Sequence, residues 1–294
     1  MATYFASTPL VSASGSNQIA TIGNIRNAFL SCSFIRTVQS GSVDDLSTLP
    51  SASQADVVRT YDIFAFNDGL QATSPLFIKI QYLTGPSSTP GSFRYNYQMG
   101  TAHDSSGSLT GVSTLTTIAN TANSNTTLAT NQPVYASGDG SYMTLAAYSD
   151  NSFVAQLSVF ERFYDSSGNI TGSGFHMVGT NANETNKAIY AQACYAGQTP
   201  PTRDTVAIPC TKPSRVPSTY NGVLLLGTVY PFIGKPLNPS PNILIGDSTT
   251  FPTAYATANY TMYGVNRTYR VLTSAFNQTN SQVFANSRFL LRYE

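Results

Sequence analysis

Charged residues are scarce in this sequence, at 10% of its 294 residues, whereas about 25% is typical of globular domains. The 15 basic and 14 acidic side chains nearly cancel and form no run of one sign. A protein that neutralises nucleic-acid phosphates needs clustered Lys and Arg. We therefore expect neither nucleic acid nor an anionic membrane surface as a partner. Serine, threonine and asparagine supply the polarity instead, and a hydrophobic content of 41% is enough for a folded chain.

Cysteine, histidine and tryptophan are also few, with three, two and none. The cysteines are too few for a disulfide framework. Cys194 and Cys210 could close a loop, but we favour three reduced thiols, with Cys32 as the third, for a protein made in the cytoplasm. The histidines and cysteines do not have the spacing of a zinc site. We expect no metal and no cofactor.

Long apolar runs are absent as well. The longest, GVLLLGTVYPFIG at 222–234, is too short to span a bilayer and contains Pro231. The first residues, MATYFASTPLVSASG, lack the basic region and apolar core of a secretory signal peptide. We therefore expect synthesis in the cytoplasm without membrane insertion. A surface rich in small neutral side chains is, by contrast, typical of proteins exposed to the exterior and of dense assemblies.

The hydrophobic pattern has the period of β-strands. In LFIKIQY (76–82), Ile78, Ile80 and Tyr82 alternate with Lys79 and Gln81, which predicts one buried and one polar face. FVAQLSVFERF (153–163) alternates in the same way, with a predicted polar face of Gln156, Ser158 and Arg162. No run of 11 or more residues has a convincing helical period, and the best helix candidate is SASQADVV at 51–58.

These patterns predict an all-β protein, an antiparallel β-sandwich or jelly-roll-like fold with long loops and little helix. We expect a single domain over 1–294. An alternative division has a β-sandwich core at 1–195 and a Pro-rich extended segment with C-terminal strands at 196–294. Nine of the 16 prolines lie within 197–241, and proline cannot donate a hydrogen bond to a sheet.

The sequence contains two nearly identical segments, DSSGSLTG at 104–111 and DSSGNITG at 165–172. Aspartate at the first position of a turn accepts backbone N–H groups, and glycine at the fourth adopts the left-handed conformation. Strand-like residues flank both copies, so we predict hairpin turns built by Asp104 and Gly107 and by Asp165 and Gly168. A calcium loop needs several oxygen ligands ending in a bidentate acid, and each copy supplies one carboxylate.

Residues that could carry out catalysis are isolated in the sequence. Five acids are candidates only because acids are rare: Asp62, Asp68, Asp150, Glu161 and Asp204. No motif pairs two of them as a glycan hydrolase requires. His103 and His176 lie in no known nucleophile context. We expect structural roles for all of these residues, no catalytic site and no enzyme.

A longer stretch carries a resemblance. YDIFAFNDGLQATSPLFIKIQYLTG (61–85) followed by MGTAHDSSGSLTG (99–111) is similar to a pattern in tailed-bacteriophage virion structural proteins, an uncharacterised group associated with tails and baseplates. The first matching residues are Phe66, Asn67, Asp68, Leu70, Gln71, Ala72, Thr73 and Pro75. The second are Gly100, Thr101, Asp104, Gly107, Leu109, Thr110 and Gly111. We assign Phe66, Asn67, Asp68 and Pro75 to the fold or to an interface.

The resemblance implies a structural subunit of the tail, baseplate, collar or fibre region, located in the virion and made in the host cytoplasm. Its expected partners are other virion proteins and further copies of itself. Such a protein leaves the cell inside a particle, which accounts for an exterior type of surface without a signal peptide. The first alternative is a module that binds a host-surface glycan through exposed Tyr, Asn and Ser side chains. A capsid decoration or head-fibre protein is the second, and a depolymerase is the last.

Overall fold

The computed structural model describes residues 2–6, 17–37, 57–84, 93–112, 116–119, 134–148, 154–180, 188–194, 219–220, 223–224, 227–229, 238, 240–247, 257–271 and 287–293. Within these ranges the chain forms β-sheets in which all strand pairs are antiparallel, together with one helix. The predicted all-β fold class is confirmed. The division into domains stays a prediction.

The first sheet has six strands. Their spatial order is β1 (Ala2–Ala6), β9 (Val134–Gly138), β10 (Tyr142–Tyr148), β11 (Val154–Tyr164), β12 (Ile170–Thr180) and β13 (Ala188–Cys194). From β9 onward each strand pairs with the next in sequence, and β11 and β12 form the long central hairpin. Short connections between sequential strands explain this meander, because they return the chain beside the strand it has just left.

The second sheet has five strands, and a helix precedes its first strand in the sequence. Its order is β2 (Ile35–Thr37), β3 (Val58–Ala65), β4 (Phe77–Thr84), β5 (Phe93–Gly100) and β8 (Thr116–Ala119). Helix α1 (Asn17–Ser31) leads into β2. A small two-stranded sheet, β6 (Ala102–His103) with β7 (Leu109–Thr110), follows β5 and contains the first Asp-Ser-Ser-Gly turn.

The third sheet, which we call the C-terminal sheet, also has five strands. Its order is β16 (Gly227–Val229), β17 (Ser240–Asp247), β20 (Ser287–Arg292), β19 (Val265–Val271) and β18 (Thr257–Met262). A separate pair, β14 (Thr219–Tyr220) and β15 (Val223–Leu224), precedes it. The segment 197–241, which holds nine of the prolines of the predicted extended segment, contains strand residues at 219–220, 223–224, 227–229 and 240–241. Its other residues except 238 lie outside the described ranges.

One hydrophobic core joins the first two sheets and the helix. The helix and β2 region contributes Ile22, Ile25, Ala28, Phe29, Cys32 and Phe34. The second sheet and its β3–β4 connection contribute Phe64, Phe66, Leu76, Ile78, Ile80, Tyr82, Tyr95, Tyr97 and Met99, and the first sheet Ala136, Met143, Leu145 and Phe160. Two layers that share one core in this way have the packing expected of a sandwich.

Helix α1 corrects the prediction that no stretch of 11 or more residues is helical. Its buried residues recur with helical spacing, at Ile22, Ile25 and Phe29. Among the remaining positions Arg26 is the one charged residue and the others are uncharged, so the sequence shows little contrast between two faces. Packing of this apolar face against the sheets overrides a weak local preference. Of the predicted helix 51–58, residues 51–56 lie outside the described ranges, and Val58 begins β3 instead.

The prediction of a polar face on β11 is wrong for the residues that can be checked. Ser158, Val159, Phe160, Glu161 and Arg162 are all buried. The physical reason is that β11 is a central strand covered on both sides. Its Phe160 belongs to the core shared with the second sheet, whereas the neighbouring Glu161 contacts the C-terminal sheet. In β4, by contrast, Ile78, Ile80 and Tyr82 are buried and the intervening side chains are partly exposed, as predicted.

No helix in the described part of the chain is long and apolar enough to cross a membrane.

Candidate functional site

Residues 66–76, the segment between β3 and β4, form a compact turn. Asp68 Oδ1 accepts a hydrogen bond from the backbone N–H of Leu70 at 2.9 Å, and Gln71 Oε1 accepts one from the N–H of Leu76 at 3.0 Å. Phe66 is fully buried, whereas Asn67 has an exposed side chain and donates its backbone N–H to the carbonyl of Gly140. Pro75 is half-buried just before β4. The short side chains of this turn therefore satisfy its own backbone groups.

The fully buried Arg162 fixes this turn to the first sheet. Its Nε lies 2.6 Å from Asp68 Oδ2 in an ion pair, and both side chains are almost inaccessible to water. Its Nη1 donates to the carbonyl oxygens of Ser74 and Gly172, at 3.0 and 3.4 Å. Its Nη2 donates to Gln71 Oε1 at 3.3 Å.

This cluster of Asp68, Gln71, Ser74 and Arg162 is here called the clamp. It connects the β3–β4 connection to strand β11 and to the neighbouring strand β12. A guanidinium has five N–H donors in a planar fork, and here they reach four acceptors on two chain segments, the β3–β4 connection and β12. The sequence predicts a role for Asp68 in the fold or in an interface. In the structure its carboxylate is almost inaccessible to water and contacts Arg162.

The two Asp-Ser-Ser-Gly segments lie at turns with the same hydrogen bonds. Asp104 Oδ1 accepts backbone N–H groups from Ser106 and Ser108, at 2.9 and 2.8 Å, between β6 and β7. The Ser106 hydroxyl also donates to Asp104 Oδ1, at 2.7 Å, and this side-chain bond is the main cause that lowers the pKa of Asp104. Gly107 closes the turn by donating its N–H to the carbonyl of Asp104, with φ of 78°.

The second turn repeats this arrangement between β11 and β12. Asp165 Oδ1 accepts from the N–H groups of Ser167 and Asn169, at 2.8 and 2.9 Å, and Gly168 has φ of 82°. The bonds from Asn169 are the main cause that lowers the pKa of Asp165. In both turns the carboxylate oxygens thus accept bonds from the turn itself, an arrangement that needs no bound cation.

Each turn glycine lies against a tyrosine from elsewhere in the fold. A Cβ atom on Gly107 would come within 2.5 Å of the Tyr61 hydroxyl, and that hydroxyl donates to the carbonyl of Ser106 at 3.1 Å. A Cβ atom on Gly168 would come within 2.5 Å of Tyr263, which lies in the β18–β19 turn. Both turns are therefore packed against the body of the protein at their glycines.

A second buried ion cluster centres on Asp62 in β3. Its carboxylate contacts Arg26 of α1 at 3.0 Å and Arg36 of β2 at 2.7 Å, and it accepts the Tyr82 hydroxyl of β4 at 3.0 Å. Burial, assisted by the charge of Asp62, raises the pKa of Tyr82 well above its usual value. The cluster holds the helix and three strands together.

A third polar cluster lies where the first sheet meets the C-terminal sheet, and we call it the junction. Asn242 of β17 donates through Nδ2 to Glu161 Oε2 at 3.0 Å and to the Tyr164 hydroxyl at 2.9 Å, both on β11. Arg292 at the end of β20 donates to Asn242 Oδ1 at 3.0 Å and lies 3.8 Å from the carboxylate of Asp139. The junction thus crosses from the β9–β10 turn through β11 to two strands of the C-terminal sheet.

The remaining candidates from the sequence are dispersed. His103 packs its ring against Phe77, with centroids 4.7 Å apart. His176 is fully buried in β12, and burial lowers its pKa to about 3. Asp150 and Asp204 lie outside the described residues, as do Cys210 and the side chain of Cys194. Among the residues described, no group of three or more His, Cys, Asp or Glu side chains could hold a metal ion.

Sequence reasoning missed the partners of these acids. They are Arg26, Arg36, Arg162, Asn242 and Arg292. The partners lie 26 to 153 positions away from the acids they serve, so no local motif marks them. The one available signal was the scarcity of charge itself, since a rare ionisable residue inside an apolar strand needs a partner.

No family model, no curated protein and no solved structure matches the chain.

Proposed function

We propose that the chain is a structural subunit of a tailed-phage virion, in the tail, baseplate, collar or fibre region. It acts through contacts with other copies of itself and with other virion proteins. The proposal rests on the bonding of the acidic side chains within the protein. All six acidic side chains that the structure describes have partners within the chain: Asp62, Asp68, Asp104, Asp139, Glu161 and Asp165.

Internal partners give these acids a mechanical role. Asp62, Asp68 and Glu161 are buried or nearly so, and each connects separate elements of the fold. Chemistry by general acid–base catalysis needs acids arranged around a place for a substrate. Here the acids are bonded to Arg, Asn, Ser or backbone groups, an arrangement that favours a rigid building block.

The segment 66–76, which contains the first set of residues that resemble tailed-phage virion proteins, supports the same proposal. Its Phe66 is in the core and its Asp68 is in the clamp, so the residues that carry the resemblance also carry the packing. A group of virion proteins that shares this segment would share the β3–β4 turn and its attachment to the first sheet. The resemblance thus concerns a scaffold.

Glycan binding is the second candidate, and one observation favours it. Thr257, Asn259 and Thr261 are exposed on one face of β18 and form a row of uncharged hydrogen-bonding side chains. Such groups bind sugar hydroxyls. Asn259→Ala should abolish binding to a host polysaccharide without changing the fold, if this row is a receptor site.

Quantitative mass spectrometry of purified virions tests the main proposal. The expected result is a fixed copy number of this chain relative to the major virion proteins, retained through density-gradient and size separation. Absence from particles whose other proteins are detected would overturn the proposal. Binding of the isolated chain to host polysaccharide, lost in Asn259→Ala, would favour the second candidate.

A further inference from the structure

Glu161 is the most unusual group of the junction. Its side chain is fully buried on the central strand β11, and a single described hydrogen bond reaches its Oε2, from Asn242. The other carboxyl oxygen, Oε1, is buried without a hydrogen-bond partner among the described residues. Ionised carboxylates in proteins normally accept several hydrogen bonds.

No described cationic side chain forms an ion pair with Glu161. Arg292 is the cation on that side, but its Nη1 bonds to Asn242 Oδ1 and lies 3.8 Å from Asp139. Arg292 therefore reaches Glu161 only through the amide of Asn242. The clamp provides the contrast, since there a buried carboxylate meets a guanidinium directly at 2.6 Å.

The other polar groups around Glu161 come from every element packed on this side. Ser240 and Asn242 lie on β17, Arg292 at the end of β20, Tyr269 on β19, and Tyr164 on β11 itself. Asp139 in the β9–β10 turn adds a second negative charge, and Tyr142 of β10 is paired with Glu161 in register. On the other neighbouring strand the register partner is the apolar Phe175.

None of the tyrosines around Glu161 is ionised at neutral pH. Burial raises the pKa of Tyr269 to about 12, and burial also raises those of Tyr142 and Tyr164. Burial raises the pKa of Glu161, by contrast, to about 7, so its charge changes between mildly acidic and mildly basic pH.

We propose that Glu161 makes the junction between the first sheet and the C-terminal sheet pH-sensitive: the neutral carboxyl allows close attachment through Asn242, and the ionised carboxylate weakens it. The inference does not depend on the proposed function. It rests on a buried carboxyl between two sheets, with one oxygen that has no partner among the described residues and with the negative charge of Asp139 acting on it. In an assembly subunit it would make the attachment of the C-terminal sheet respond to the pH outside the cell.

The direction of the pH effect follows from the pKa. Burial is the largest cause and raises the pKa of Glu161 from 4.5 to about 7, against the opposing effects of the neighbouring Ser240 and Asn242 side chains. The folded state therefore holds this proton more tightly than the unfolded chain does. The stabilising contribution is fully present below pH 4.5 and is lost as the pH rises through about 7. Over that window the folding equilibrium constant falls by roughly two orders of magnitude from this group alone.

Carboxyl NMR of the wild-type chain tests the first part. The sequence contains only three glutamates, at 161, 184 and 294, so labelling glutamate with 13C at the δ carbon gives three signals. One signal is expected to titrate near pH 7 and to be assigned to Glu161 by elimination, with Glu184→Gln and Glu294→Gln. Three signals that all titrate below pH 5.5 would overturn the proposal.

Hydrogen exchange tests the link to the junction. After correction for intrinsic rates, backbone protection of β17 and β20 should fall several-fold, up to about tenfold, between pH 6 and pH 8, while protection in β4 should change less. In Glu161→Gln this selective loss should disappear, and in the control Asp165→Asn it should persist. Equal changes in β4, β17 and β20 of the wild type would refute the proposed role, even if Glu161 titrates near pH 7.

Discussion

Replacing Asp68 by asparagine tests whether the clamp holds the first two sheets together. The substitution keeps the size of the side chain and an oxygen for the N–H of Leu70, but it removes the charge that faces Arg162 at 2.6 Å. The guanidinium is completely buried, so water cannot replace the lost carboxylate. We therefore expect a large loss of stability from a substitution that changes few atoms.

The expected magnitude follows from the burial of the pair. Breaking a buried ion pair by removal of one partner costs about 3 to 5 kcal/mol, because an uncompensated charge remains. Asparagine still accepts one hydrogen bond from Arg162, so we expect a value near the lower limit, about 3 kcal/mol. With a urea dependence of about 1–3 kcal/mol per molar, the unfolding midpoint should fall by about 1 M or more.

Urea unfolding followed by far-ultraviolet circular dichroism measures this change, since the chain has no tryptophan for fluorescence. Asp104→Asn is the matched control: the same substitution in an exposed turn, where the amide oxygen can accept the same N–H groups. Its midpoint should stay close to that of the wild type. The double variant Asp68→Asn with Arg162→Met should be more stable than Asp68→Asn alone, because it also removes the stranded charge.

A midpoint for Asp68→Asn equal to that of Asp104→Asn would refute this reasoning. So would a double variant whose loss is the simple sum of the two single losses. Either result would mean that the clamp contributes contacts without energetic coupling.

Three further predictions concern other parts of the fold. Gly168→Ala should destabilise the protein more than Gly264→Ala in the same urea assay. Both glycines have positive φ, but only a Cβ on Gly168 meets Tyr263, at 2.5 Å. Equal losses of stability in the two variants would exclude close packing of the turn. Burial lowers the pKa of His176 to about 3. The stability that this neutral histidine contributes should therefore be present above pH 6.5 and be lost as the pH falls towards 3. An acid-unfolding profile of His176→Phe that equals the wild-type profile would contradict this. Burial raises the pKa of the Cys32 thiol to about 12, so maleimide at pH 7.5 should modify Cys32 only after unfolding. Rapid labelling of the native protein, shown by peptide mapping to be at Cys32, would refute the burial of this thiol.

Part of the fold could be predicted from local pattern alone. Alternation along β4 gives its buried face, because one side of that strand packs on the core while the other is partly exposed. The two Asp-Ser-Ser-Gly segments predict their turns, because the aspartate and the glycine of each segment bond to residues close by in the sequence. In both cases the physical cause is contained in a short segment.

The rest depends on contacts between distant parts of the chain. The polar Ser158 and Arg162 predict a polar face for strand β11, yet the C-terminal sheet and the β3–β4 turn cover both of its sides. Helix α1 lacks the charged face that makes a helix visible in sequence. The junction joins Glu161 to Asn242 across 81 residues, and neither residue has a local context that indicates the other.

Light scattering of the purified chain behind a sizing column tests the central claim most directly. The account predicts a discrete oligomer, with a mass that is an integral multiple of 31.4 kDa and is retained on dilution. A single species of 31.4 kDa at every concentration would contradict a subunit that works through contacts with copies of itself.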